Sequence, residues 1–180
     1  MVTLGACKPT PYEWHGTLYD PPRAASAISL QAGDDSTYDL SLEAGRAVIL
    51  YFGYVNCPDI CPATLANLAW VREQLGEKAA DFTVLFATID PERDTLAALT
   101  RYLSGFDPTF VGLRGDRTQT EQVLAAYGAY AGMDEADASH EIEHSARLFL
   151  IDQKGQLVAH YLWDVPRTDL LADIEHLLSS

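Results

Sequence analysis

An unbroken apolar, β-branched and aromatic run at 47–54 leads directly into two cysteines, Cys57 and Cys61, and then into Pro62. A continuous apolar segment of this length is a strand buried on both faces, as in the middle of a parallel sheet. Proline suits the first turn of a helix, where its missing N–H costs nothing. The two thiols therefore belong to a turn between a central strand and a helix. This placement predicts Cys61 at or beside the N-cap, where the helix dipole and free N–H groups would lower its pKa from the usual value of about 8.5. Two cysteines that merely pack in a core are the plain alternative. Both, however, adjoin proline in a turn, which is a poor place for core filler.

The chain's 180 residues suit one domain with a core of its own, without disulfide staples. A net charge of −14 argues against a nucleic-acid or anionic-membrane surface, both of which need clustered Lys and Arg. An acidic face instead steers toward a basic partner or a cation, or simply keeps the protein soluble. No uncharged apolar run approaches the roughly 20 residues that span a bilayer. The third cysteine, Cys7, follows Leu4-Gly5-Ala6, which resembles the end of a bacterial lipoprotein signal. The basic and apolar regions of such a signal are missing, so the expectation is a chain that begins inside its precursor.

Residues 1–24 read as a signal remnant and an extended tether carrying Pro9, Pro11, Pro21 and Pro22, with one domain over 25–180. Strands are expected at 27–31 and 38–42 around Gly33-Asp34-Asp35-Ser36, at 82–89 and at 110–113. Leu65, Leu68, Val71 and Leu75 recur at helical spacing, as do Leu96, Leu99 and Leu103. Thr118-Gln119-Thr120-Glu121 has the form of a capping box. Residues 147–151 and 157–162 flank the hairpin signal Asp152-Gln153-Lys154-Gly155, and Thr168 is placed to cap a last helix. Strand–helix–strand–helix, then hairpin, then helix is the order of an α/β thioredoxin-like fold, here with an N-terminal β-hairpin and an inserted strand–helix.

Thioredoxin-type redox sites usually have two residues between their cysteines; this chain has three. The wider loop leaves room for a metal while still permitting a disulfide. Two thiolates are soft ligands that select Cu(I), zinc or iron–sulfur sites, and a third ligand must choose among them. His144 is the candidate, expected to open the first strand of the C-terminal hairpin beside the cysteine loop. His140 is a possible substitute. His15, His160 and His176 read as structural. Two sulfurs and one imidazole suit three-coordinate Cu(I), whereas structural zinc takes four protein ligands. A peroxidase needs an activating basic group near one low-pKa cysteine, and the loop offers only Asp59.

These residues resemble the Sco (SenC/PrrC) family of copper-handling proteins from about His15 to the C-terminus. Tyr51-Phe52-Gly53-Tyr54-Val55-Asn56-Cys57-Pro58-Asp59-Ile60-Cys61-Pro62-Ala63 is similar to the family's metal loop, with Val55 where many relatives have Thr. Ile89-Asp90-Pro91-Glu92-Arg93-Asp94-Thr95 is similar to its second signature. Phe110-Val111-Gly112-Leu113, His144-Ser145-Ala146 and Leu150-Ile151-Asp152 match later blocks. The resemblance implies a copper metallochaperone with Cys57, Cys61 and His144 as ligands of Cu(I) or Cu(II). Asp90 would lie near the site, where a strand-end carboxylate could orient ligands; a turn role before Pro91 is its alternative. Arg93 and Asp94 are expected to tie the following helix.

The implied partner is the CuA-bearing subunit of cytochrome c oxidase, with another periplasmic carrier supplying copper. The implied location is the periplasm or outer face of the cytoplasmic membrane, as a monomeric lipoprotein anchored through Cys7. A thiol–disulfide oxidoreductase that keeps the CuA cysteines reduced is the second reading, with Cys57 and Cys61 as its redox pair. The carboxylate-rich segment 133–143 is either a docking surface for a basic patch or a solvated loop.

Overall fold

A computed structural model describes residues 12–33, 36–133 and 142–180, with the side chains of Met133, Glu143 and His144 outside that set. Cys7, His140 and most of the acidic segment therefore lie outside the described residues. In chain order the elements are β1 (Thr17–Ala24), β2 (Ser29–Gln31), β3 (Thr37–Asp39), β4 (Ala47–Gly53), α1 (Ile60–Leu75), β5 (Phe82–Thr88), α2 (Leu96–Ser104), β6 (Val111–Leu113) and α3 (Arg117–Tyr127). They continue with β7 (Ala131–Met133), β8 (Ile142–His144), β9 (Arg147–Ile151), β10 (Gln156–Leu162) and α4 (Arg167–Leu178).

The central sheet runs β1-β10-β9-β4-β5-β6, with β4, β5 and β6 parallel and the other neighbours antiparallel. Every residue of β4 and β5 is buried, as the apolar runs require. Alternation along β4 divides the core in two. Ala47, Ile49 and Tyr51 pack with α1, α2 and α4 on one face. Val48, Leu50, Phe52 and Tyr54 pack with α3 and the β2–β3 hairpin on the other. Helices on both faces of a mixed sheet, with a βαβ unit carrying the cysteines, make this a thioredoxin-like α/β fold. No helix of the described residues is long and apolar enough to cross a membrane.

Several local expectations change. Residues 17–24 form β1, paired with β10, where a free tether is expected. Pro21 and Pro22 are tolerated because β1 is an edge strand and its register shifts between Leu18 and Arg23. Helix α1 starts at Ile60 with Asp59 in the N-cap position, two residues earlier than a start at Pro62. The capping box of α3 is Asp116 with Gln119, not Thr118 with Glu121, since Asp116 has the extended backbone that an N-cap needs. Pro166, not Thr168, precedes α4, and no side chain caps that helix. His144 closes β8, a separate short strand paired with β7, and does not open β9.

Candidate metal and dithiol site

Strand β4 delivers its C-terminal end to the cysteine loop, and α1 begins within that loop. Cys61 is the second residue of α1 and is fully buried, whereas Cys57, one loop earlier, is half-buried. The Cys61 amide N–H donates to the Cys57 Sγ at 3.4 Å. One of the free N–H groups of the first helical turn is therefore aimed at Cys57. Cys61 points inward instead, and the Tyr51 hydroxyl donates to its sulfur at 3.3 Å.

Burial pushes the Cys61 thiol up to about 12, against the pull of the Tyr51 hydroxyl and the Tyr54 backbone. This reverses the expected lowering. A helix N-terminus favours an anion only where the side chain stays near the exposed amides, and the Cys61 side chain has left them for the core. Burial, then the two thiols and Asp94, also holds the Tyr102 hydroxyl above its usual range. That hydroxyl is buried without a hydrogen-bond partner among the described residues.

Gly53, unremarked in the sequence reading, makes the arrangement possible. A Cβ there would lie 2.8 Å from the Cys61 Sγ and 2.8 Å from a Phe86 ring carbon. Its signal is a glycine inside an otherwise bulky strand, a common mark of close approach. Asp94 acts on the same loop. Its buried carboxylate accepts from the Val55 amide at 3.1 Å and from the Thr88 hydroxyl at 2.6 Å. Thr95 is the residue that caps α2, so Asp94 ties the cysteine loop to the end of β5, a different task from the expected tie to the helix. Burial raises the Asp94 pKa while these two donors oppose it. Asp90 is also buried, and its carboxylate pairs with Arg93.

Strand β8 reaches the same end of the sheet. The Ile142 amide donates to the Tyr54 hydroxyl at 3.3 Å, and Tyr54 leads into the cysteine loop. His144 stands two residues further along β8. No group of three His, Cys, Asp or Glu donors occurs among the described side chains, and that of His144 is not one of them. Of the other histidines, His15 and His176 contact the aromatic N-terminal arm and α4, while His160 faces Tyr19.

Fold and site together define a thioredoxin-like protein with an asymmetric dithiol at the turn from a central strand to a helix. Residues 22–179 match the sequence profile of the SCO1/SenC family, and the chain belongs to that family. The mitochondrial SCO2 homolog of Bos taurus is 40% identical over 121 residues, covering 65% of this chain and 46% of that protein. The chain thus spans about half the length of this curated relative. The apo Sco1 protein of Thermus thermophilus superposes with a TM-score of 0.83 at 30% identity, covering 92% of this chain and 97% of that one. The copper-bound ScoI of Bradyrhizobium japonicum gives a TM-score of 0.77 at 29% identity, covering 86% and 99%. The Sco family is one of cytochrome c oxidase assembly proteins, with members solved in copper-bound form.

Proposed function

We propose that this chain is a copper metallochaperone that binds one copper ion through Cys57, Cys61 and His144 and serves assembly of the CuA centre of cytochrome c oxidase. The observation that carries the reading is the placement of the two cysteines side by side, with the Cys61 N–H donating to the Cys57 Sγ, in a loop that also bonds β8. Two thiolates and an imidazole form a soft donor set that suits Cu(I). Three ligands leave one side of the ion open, so a partner's sulfur or imidazole can enter before the first ligands leave. Cys61 is neutral while buried alone, and a bound cation supplies the charge that favours its thiolate. Asp94 holds the loop from below, and the Asp90–Arg93 pair braces the adjoining turn.

Cu(I) is the working form in this reading, with Cu(II) as a second state, and a separate carrier supplies the metal. The chain acts as a monomer on the outer side of the cytoplasmic membrane, held by a lipid on Cys7. The test is a copper titration of the reduced protein followed by absorption spectra. About one equivalent should bind, and Cys57→Ser, Cys61→Ser and His144→Ala should each weaken binding by tenfold or more. Undiminished affinity in His144→Ala would remove His144 from the ligand set.

The sulfur proximity also favours a second reading, a dithiol reductant for the partner's CuA cysteines. The thiolate of Cys57, the more accessible sulfur, would attack a partner disulfide and release one partner thiol. Cys61 would then displace the second, leaving Cys57–Cys61 oxidised and the partner reduced by two electrons. Activity that needs both cysteines and survives His144→Ala would select this reading.

A further inference from the structure

We infer that the hydroxyls of Tyr51, Thr64 and Tyr102 form a donor set beneath the dithiol that stabilises the thiolate of Cys61 and biases the site toward monovalent copper. The inference rests on the metallochaperone reading and names what selects the oxidation state of its cargo.

Three elements supply these hydroxyls. Tyr51 is on β4, Thr64 is on α1 one helical turn after Cys61, and Tyr102 is on α2. The Tyr51 hydroxyl donates to the Cys61 Sγ at 3.3 Å. The Tyr51 ring meets Phe86 edge-on with centroids 5.8 Å apart, and Phe86 meets the Tyr102 ring at 6.2 Å. The Cys61 Sγ and the Phe86 ring border the space beside Gly53, each 2.8 Å from where a Cβ would stand. The two phenols thus flank one ring, and that ring borders the sulfur.

Among the described residues four buried side-chain polar atoms make no hydrogen bond, and the Thr64 and Tyr102 hydroxyls are two of them. Both act on the site. Burial and the Cys61 sulfur resist charge on the Tyr51 oxygen, while the Thr64 hydroxyl favours it without the geometry of a bond. Burial, then Cys61, Cys57 and Asp94, resist charge on the Tyr102 oxygen, so that hydroxyl stands within electrostatic reach of both sulfurs. Valine and phenylalanine would fill the same space with no unpaired polar atom, so these hydroxyls do not serve packing.

Each of the two is a donor without an acceptor while Cys61 is a thiol, and a thiolate supplies the acceptor. The Cys61 proton leaves to solvent as a cation binds, and a full charge stays on the sulfur. Tyr51 then donates to that charge, Thr64 backs the Tyr51 oxygen, and the Tyr102 O–H turns toward the sulfurs. Hydrogen bonds to a ligating sulfur draw off the electron density that divalent copper needs most, so they favour the monovalent ion. The three hydroxyls are neutral, and they tune the sulfur without adding charge to the site. They act through Cys61 as positioning residues.

The test combines Thr64→Val with Tyr102→Phe, which removes both hydroxyls and keeps the shape. In the copper-loaded chain this double variant should lower the Cu(I)-to-Cu(II) affinity ratio about tenfold, a fall of about 59 mV in one-electron potential. Its sulfur-to-Cu(II) absorption should move to longer wavelength. Thr64→Ser keeps a hydroxyl and should behave as the wild type. Tyr127→Phe alters a buried tyrosine on the other face of the sheet, whose hydroxyl donates to the Ser26 carbonyl, and should change neither readout. In the copper-free chain the double variant should unfold at the same temperature or higher. It should also alkylate Cys61 several-fold more slowly, whereas loosened packing would speed that reaction. An unchanged ratio and band, the same shifts in Thr64→Ser or Tyr127→Phe, a lower unfolding temperature, or alkylation that is not slowed would each overturn the proposal. Alkylation is read without copper, so a wild-type chain that binds no metal defeats the metallochaperone reading alone.

Discussion

Two buried acidic groups, Cys61 and Asp173, sit in the same half of the core and are treated in opposite ways. Asp173, on α4, has no exposed surface, yet both of its oxygens are supplied with donors. Oδ1 accepts from the Tyr12 hydroxyl at 2.8 Å and from the His15 ring at 2.9 Å. Oδ2 accepts from the His15 amide at 3.0 Å, the Gly16 amide at 3.1 Å and the Tyr161 hydroxyl at 2.9 Å. Cys61 is as deeply buried, with the Tyr51 hydroxyl as its side-chain donor and an unpartnered Tyr102 hydroxyl nearby. The first site is complete and fastens the N-terminal arm to α4. The second lacks counter-charge and holds its thiol protonated. A satisfied buried group stabilises a fold, whereas an unsatisfied one is poised to receive something.

The comparison can be broken at either group. Asp173→Ala leaves the Tyr161 hydroxyl and the arm without their acceptor, and should cost about 3 kcal/mol in denaturant unfolding. A loss below about 0.5 kcal/mol would show that the arm is only laid on the surface. Gly53→Ala forces Cys61 or Phe86 aside and should cost about 2 kcal/mol, with faster alkylation of Cys61 as its sulfur is displaced. Unchanged alkylation would mean that Phe86 alone gives way.

Tyr51→Phe should cost about 1 kcal/mol. It should also raise the pH at which Cys61 ionises, seen as thiolate ultraviolet absorbance in the copper-free protein, because the lost donor favours the charged form. The smallest effect is on pH at the arm. The bond to Asp173 raises the His15 pKa, so the stabilisation is complete below the unfolded value of about 6.5 and is lost as pH rises through the folded one. Protection of the Gly16 amide, measured against its base-catalysed intrinsic exchange, should fall across that rise, and pH-independent protection would detach His15 from the clasp.

How much of this was legible in the sequence depends on the range of the interaction. The apolar runs of β4 and β5 and the leucine spacings of α1 and α2 set the core, because burial is written into periodicity. The thiols' place between strand and helix was equally readable. Helix starts were not, because Asp116 against Thr118, and Pro166 against Thr168, differ in backbone dihedrals that composition leaves open. β1 was hidden because its prolines speak against a strand, and only its partner β10 makes it an edge. The direction of the Cys61 shift required knowing which way one side chain turns. Asp94 and Asp173 act across 39 residues to Val55 and 158 to His15, separations at which no local pattern exists.

The unequal burial of the two sulfurs also imposes a sequence of events. Anything arriving from solvent, whether an oxidant, an alkylating reagent or a partner's thiol, encounters Cys57 first, while Cys61 waits underneath with its own amide already touching its neighbour. Chemistry at this turn therefore runs from the outer atom to the inner one, and undoing it begins again at the outer.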